Sequence, residues 1–410
     1  MKILLLTQWF DPEPTLKGLV FAKELQRQGH EVQVLTGFPN YPTGKIYDGY
    51  KLRFKQTEYI EGIEVTRVAL YPSHDSSVLK RIFNYISFAF MAALIGIFAT
   101  KKADVVYTYH PPLTVGVAAL LIKLFRRIPI VYDIQDMWPD TLKATGMLNN
   151  QKLLNIISLV CDQVYKYVDH IVVLSPGFKQ LLMNRNVNED KISVIYNWCD
   201  EKALENRPIL KDEYNQILSD KFNLVFAGNL GKAQGLDTLI NVAKHLKDNP
   251  RIQLVFVGDG TERDLLIRKV AELNLKNVVF IPRVPMSEVG GILQKADILI
   301  VHLKDDKLFE ITIPSKTQAY MAIGKPILMA VKGDASDILK DAQAGAIAQP
   351  ENTESILKAI NYLYNSSSSE LMQMGENSKK YYIDEMSLEK SCKKFIEVFE
   401  MVRRKESSNV

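Results

Sequence analysis

Short apolar runs alternate with longer stretches of amphipathic spacing along nearly the whole chain. Runs of strand length fall at residues 3–6, 32–35, 65–68, 105–109, 130–133, 171–174 and 192–196. Helical stretches separate most of them. In KLLNIISLVCDQVYKYV, Leu153, Ile156, Ile157, Val160 and Val164 recur at helical spacing and make one apolar stripe. Such alternation predicts crossover helices over a parallel sheet. After Asp200 the pattern pauses in EKALENRPILKDEYNQILSDK, then restarts with runs at residues 223–226, 254–257, 278–281, 298–301, 327–330 and 346–347. The expected fold class is α/β, with two doubly wound parallel-sheet domains joined near residue 200.

The tail offers helical segments at 354–364, 369–383 and 387–404, interrupted by the serine run at Ser366. Phe395, Val398, Phe399 and Val402 share one face of the last segment, and that face needs a partner.

One segment invites a membrane reading. The run from Ile82 to Ala99 carries no charge and is flanked by Lys80, Arg81, Lys101 and Lys102. Asn84 and Ser87 interrupt it, and a strand-like run follows within a few residues, so a buried or membrane-surface helix is expected rather than a span. The opening MKILLLTQWF reads as a first buried strand and not as a signal peptide.

Composition narrows the class further. With 410 residues, 47% hydrophobic and 24% charged, the chain is long enough for more than one core. A formal net charge of +4 is too weak to argue for nucleic acid. Cys161, Cys199 and Cys392 form no CxxC pair and no disulfide framework, which fits a reducing cytoplasm.

Candidate chemistry lies where strand runs give way to helices, because a helix N-terminus offers unpaired N–H groups and partial positive charge. At the first such junction, FAGNLGKAQGLDTLI, glycines allow close backbone approach to a phosphate, and Asn229, Lys232 and Gln234 can donate to its oxygens. A helix-capping turn with a solvated lysine is the alternative. At the second, FEITIPSKTQAYMAIGKPIL, Ser315 or Thr312 can cap and Pro314 suits the first turn. Lys316 is not explained by capping, since a cation in the first turn opposes the macrodipole unless an anion binds there. Gly258, Asp259 and Gly260 add a loop on the same edge.

In the first half, the matching edge carries Asp11, Glu13, Gly18, His110, Gln135, Asp136 and Trp138. His110 ends a strand run, with a structural role as the alternative. Asp136 is placed as a general base or cation stabiliser, although Asp133 and Asp136 could instead cap the WPD turn. No HExxH, His or Cys cluster or DxD pair occurs, so no metal is expected.

WFDPEPTLKGLVFAKELQRQGHEVQVLTGFPNYPTG, DIQDMWPD, VIYNWCD, GNLGKAQGLDTL and PSKTQAYMAIGKPIL together resemble retaining glycosyltransferases of family 4. The resemblance is strongest to the bacterial branch that adds amino sugars such as N-acetyl-L-fucosamine in O-antigen or capsule assembly. It implies a GT-B architecture, with two facing Rossmann-like doubly wound domains and a C-terminal crossover helix. Residues 1–199 would form the acceptor-side domain, joined by 386–410, and residues 200–385 the nucleotide-sugar domain. The Gly18 N–H would face the donor diphosphate. The family's Arg and Lys in this loop fall on Asn229 and Gln234, with Lys232 supplying the missing charge. The family's two glutamates fall on Ile311 and Ala319, with Glu310 one position off, and its histidine falls on Gln135, leaving Asp136 or His110 as replacements.

The expected catalytic residues are therefore Asp136 and His110. The donor-binding set is Gly18, Asn229, Lys232, Gln234, Gly258, Arg283, Thr312, Ser315 and Lys316. The expected function is metal-independent, cofactor-free transfer of an N-acetylated amino deoxysugar from a nucleotide diphosphate, with UDP the expected carrier. Its acceptor would be a polyprenyl-diphosphate-linked or nascent surface glycan. The enzyme would sit in the cytoplasm, peripheral to the inner face of the plasma membrane through residues 82–99. A sugar-nucleotide 2-epimerase and a non-catalytic membrane scaffold are the competing readings.

Overall fold

A computed structural model describes residues 1–73, 78–144, 147–205 and 210–407. The chain forms two compact units, one of Met1–Tyr196 with Leu388–Val410, the other of Asn197–Ser387. These limits differ by a few residues from 199/200 and 385/386. In the second unit, the Tyr382 hydroxyl accepts from the Cys199 N–H at 3.2 Å and donates to Glu201 Oε1 at 2.7 Å, which holds the end of the NWCD segment there.

The first unit is an eight-stranded sheet of β1 (Lys2–Leu6), β2 (Glu31–Gly37), β3 (Lys55–Ile60), β4 (Ile63–Val68), β5 (Val105–His110), β6 (Ile130–Ile134), β7 (His170–Val173) and β8 (Ile192–Val194). The order is β3-β4-β2-β1-β5-β6-β7-β8. Every pairing is parallel except β3 with β4. The interior strands are apolar along their length because helices cover both faces. Strand β3 escapes that pattern: KQTEYI alternates exposed and half-buried positions on an edge. It joins β4 through Glu61 and Gly62, at φ 45° and 85°, with Ile60 paired to Ile63, a two-residue turn that needs positive φ at both positions.

The crossover helices of this unit include α1 (Leu19–Arg27), α2 (Val78–Phe98), α3 (Thr114–Arg126) and α4 (Gln151–Tyr167). Helix α2 buries Phe88, Ala92, Ala93 and Ile95 on one side. Asn84 on that side donates to the Tyr71 carbonyl at 2.8 Å and accepts from Gln8 Nε2 at 2.5 Å. Residues Leu79–Phe98 are also long and apolar enough to cross a membrane. The C-terminal helix Leu388–Ser407 packs on the first unit, with Phe395 edge-on to Phe21 at 5.2 Å and to Tyr107 at 5.6 Å between ring centroids.

The second unit is a parallel sheet of β9 (Phe222–Ala227), β10 (Ile252–Val257), β11 (Val278–Ile281), β12 (Ile298–His302), β13 (Ile327–Ala330) and β14 (Gly345–Ile347), in the order β11-β10-β9-β12-β13-β14. Its helices include α5 (Asp237–His245) and α6 (Ser315–Ile323). Strand order reverses between β9 and β12. Beyond the carboxyl ends of those strands is where an open α/β sheet receives a ligand.

Candidate functional site

The reversal point in the second unit is built from two glycine loops. Gly228 follows β9 at φ 137° and Gly258 follows β10 at φ 134°, conformations that only glycine adopts at little cost. A Cβ on Gly258 would be driven into the Gly228 carbonyl. The loops are laced by Leu230 N–H to the Asp259 carbonyl at 2.8 Å and Glu262 N–H to the Leu230 carbonyl at 2.9 Å. A fixed backbone rim results.

Lys316 comes to this rim from α6. Tyr320, one turn further along the helix, docks α6 against the end of β9: its hydroxyl accepts from Ala227 N–H at 2.8 Å and donates to the Ala227 carbonyl at 3.2 Å. Lys316 Nζ then lies 3.5 Å from the centroid of the Phe226 ring, beside Gly228. Nζ is buried and has no hydrogen-bond partner among the described residues. Burial pushes its pKa down to about 7. An unpaired buried amine is costly unless something anionic meets it. Capping is not what the helix start does: Pro314 is the N-cap, no side chain caps it, and Ser315 is exposed. The expected cap from Thr312 is also absent, because its hydroxyl donates instead to the Leu308 carbonyl at 2.7 Å.

The remaining expected donor residues divide by surroundings. Asn229, Lys232 and Arg283 are exposed at the carboxyl edge of the sheet. Gln234 is turned inward on its own loop, its Oε1 accepting from Gly231 N–H at 3.2 Å. His302 clips that loop to the end of β12, a residue the sequence reading did not single out. Its Nδ1 meets the Gln234 carbonyl at 2.6 Å, and its Nε2 meets the Glu351 N–H at 3.2 Å. A carbonyl only accepts and an amide only donates, so Nδ1 carries the proton and the ring is neutral. Burial, which lowers the His302 pKa, acts the same way. The polar ending of the apolar run ILIVH was the available signal.

In the first unit, the carboxyl edge gathers the other candidates. Asp136 is half-buried, and desolvation raises its pKa above the ordinary carboxylate value. His110 is fully buried, edge-on to Trp138 at 5.3 Å and Tyr132 at 5.7 Å, and its Nδ1 has no hydrogen-bond partner among the described residues. Burial drives its pKa down to about 3, so it is a neutral ring at physiological pH. Gly18 is the N-cap of α1, where a Cβ would collide with the Asp11 carboxylate and Thr15. Asp11 Oδ2 accepts from Leu19 N–H at 2.7 Å, which places a carboxylate at the helix start. Asp133 does not cap the WPD turn. It lies inside, accepting from Lys17 Nζ and the Tyr107 hydroxyl, each at 2.5 Å, and from Gln135 Nε2 at 2.6 Å. Glu13 is buried too, accepting from the N–H groups of Asn40 and Tyr41 at 2.8 Å and of Phe10 at 3.2 Å. It ties the loop after β1 to the loop after β2. Among the described residues, no three His, Cys, Asp or Glu side chains converge.

Two parallel-sheet Rossmann-like units of this kind make a GT-B protein. HepE of Anabaena, solved in complex with UDP, superposes with a TM-score of 0.70 at 14% identity, over 98% of this chain and 100% of that one. Residues 19–198 match the glycosyl transferase 4-like domain, and residues 210–381 match glycosyl transferases group 1. The protein is a glycosyltransferase. It is 26% identical over 344 residues to WcaI of Escherichia coli K12, described as a colanic acid biosynthesis glycosyl transferase, covering 79% of this chain and 82% of the relative. It is 24% identical over 294 residues to the glycosyltransferase WbjE of Pseudomonas aeruginosa, covering 70% and 73%.

Proposed function

We propose that this glycosyltransferase moves an N-acetylated amino deoxysugar from a UDP-linked donor, with retention and without a metal ion, to a lipid-linked or nascent surface glycan. The observation that carries the reading is the buried Lys316 amine, without a hydrogen-bond partner among the described residues, beside Gly228 at the reversal point of the second sheet. A diphosphate would satisfy it with a charge-assisted hydrogen bond, and the exposed Lys232 stands on the neighbouring loop. Stabilising that leaving group as the glycosidic bond breaks is the largest task in such a transfer. The uncapped start of α6 acts in the same direction.

The first unit would supply the groups that meet the sugar and the acceptor hydroxyl. Asp136 stabilises cationic character on the sugar or accepts the hydroxyl proton. Neutral His110 acts by hydrogen bonding and not by charge. UDP in the HepE structure and the likeness to WcaI, described for colanic acid biosynthesis, support the carrier and the glycan setting. An acceptor held on a polyprenyl lipid places the enzyme at the cytoplasmic membrane face, with α2 as the contact. The test is to incubate the protein with UDP-, GDP- and ADP-linked sugars and follow release of the free nucleotide, with and without a polyprenyl-diphosphate glycan. UDP release that depends on acceptor supports the reading. Turnover of GDP or ADP sugars alone sinks its carrier.

A further inference from the structure

Helix α2 is not the only one of its layer to present an apolar stripe outward. Opposite its buried side, Phe83 is 63% exposed and Phe90 is 68% exposed, with Ile86 between them. Helix α3 does the same: Leu124 is 71% exposed and Phe125 is 64% exposed, one turn beyond the exposed Leu121. The two helices are neighbours that run the same way. Ile122 of α3 fills the space where a Cβ on Gly96 of α2 would sit, and Arg126 Nη1 donates to the Gly96 carbonyl at 2.8 Å. Both serve parallel crossovers on one face of the sheet, so their outward stripes lie side by side. An uncovered apolar area built from two adjacent helices exceeds what isolated surface residues explain.

Charge says what covers it. Between Val78 and Ile130 there are seven Lys and Arg residues (80, 81, 101, 102, 123, 126, 127) against one carboxylate, Asp104, whereas the whole chain is nearly balanced at +4. Some of these cations are engaged: Lys101 with Glu64, Lys123 with Asp169, and Arg126 with backbone carbonyls at the end of α2. Lys102 and Arg127 line a cleft at the carboxyl ends of the two helices, together with Asp104, Arg126 and Arg403. A second copy meeting this face about a two-fold axis would set like charge against like charge. An anionic bilayer satisfies both features at once, taking the apolar stripes into its acyl boundary and the cations at its headgroups.

We infer that the α2–α3 face is a composite docking surface for an anionic phospholipid bilayer, on which the protein lies without spanning. The buried side of α2, held by Asn84, stays in the fold. This deepens the membrane contact proposed above and rests on that reading for its purpose, but not for its measurement. The experiment is co-sedimentation of the whole chain with phosphatidylethanolamine vesicles containing phosphatidylglycerol, and with phosphatidylcholine vesicles. The variants are Leu124→Ser with Phe125→Ser, and Lys102→Gln with Arg127→Gln. UDP affinity in solution is read in parallel.

The wild type is expected to bind the anionic vesicles, to prefer them to neutral ones, and to lose roughly tenfold or more in affinity in each double variant. UDP affinity should not change. Binding to neutral vesicles as tight as to anionic ones, no binding to either, or undiminished binding of the α3 variant overturns the surface. So does a concentration-dependent dimer abolished by the same α3 variant. Vesicle binding with no nucleotide released from any sugar donor supports the surface while sinking the transfer reading.

Discussion

Lys316 Nζ stands 3.5 Å from the centroid of the Phe226 ring and has no hydrogen-bond partner among the described residues. A cation over an aromatic face is partly stabilised, but the ring cannot replace the water that burial removes. The site is thus poised for an anion at some cost to the free fold.

Lys316→Met should therefore raise stability and weaken UDP binding together. The lysine's pKa falls from the ordinary 10.5 to about 7 in the folded chain. The unfolded chain holds the extra proton across that window, so stability rises with pH between about 7 and about 10, by up to about 1.4 kcal/mol per unit. Urea unfolding across this range should show the rise in wild type and a flatter profile in the variant. UDP affinity should fall by about 1.5 to 3 kcal/mol. Unchanged affinity would mean that the phosphate lies elsewhere.

UDP binding should also take up a proton. A diphosphate favours the charged amine and pulls the Lys316 pKa upward, so affinity declines as pH rises above about 7. Calorimetry in two buffers of different ionisation heat would count the protons. Uptake should approach one near about pH 8.5 and disappear in Lys316→Met. Equal apparent heats in both buffers would count against the amine as the phosphate partner.

Asp136→Asn should leave UDP affinity within about a factor of three and lower turnover by about 10²- to 10⁴-fold. Burial holds this carboxyl above its ordinary 3.8, so the active carboxylate is lost as pH falls through a raised value. The wild-type rate profile should accordingly carry an acid limb with its midpoint above that of an exposed aspartate. Full turnover in the variant would remove Asp136 from the chemistry.

Transfer should continue in excess EDTA. Lys316, Lys232 and the start of α6 are proposed to carry the leaving-group charge that a divalent ion carries in other sites. Activity abolished by chelation and restored by magnesium or manganese refutes that assignment.

Glu13→Ala should destabilise the first unit by about 3 kcal/mol or more, because it orphans three buried N–H groups at once. Glu13→Gln should cost less, since its carbonyl can still serve Asn40 and Tyr41. Burial raises the Glu13 pKa from 4.5 to about 7, against the pull of its backbone donors and Arg67. The folded chain keeps this proton longer than the unfolded one, so the glutamate's contribution falls as pH rises from 4.5 to about 7. Thermal unfolding of the wild type and both variants across that range checks the order, and the trend should appear in the wild type alone.

The sequence by itself determined the fold class, and the reason is periodicity. Strands covered by helices on both faces must be apolar throughout, so runs such as ILIVH and LVFA announce themselves without a neighbour. The glycines at strand ends and the misfit of Lys316 with a helix start were equally local signals. Only tertiary structure decided the rest. Strand β3 is charged because it lies on an edge, and no apolar run marks it. Glu13 is made by donors from two loops, and Asp133 by Lys17 and Tyr107, distant residues that no spacing rule connects. Helix α2 reads as one uniform apolar segment, yet packing divides it into a face fixed by Asn84 and a face left open. Lys316 shows the division within a single residue. Its place in the first turn is legible in the chain, whereas its loss of water and its shifted pKa arise because Tyr320 docks the helix onto β9 and sets the amine over Phe226. Local spacing determines which groups face one way. Desolvation depends on what packs above them, and that is set by the whole fold.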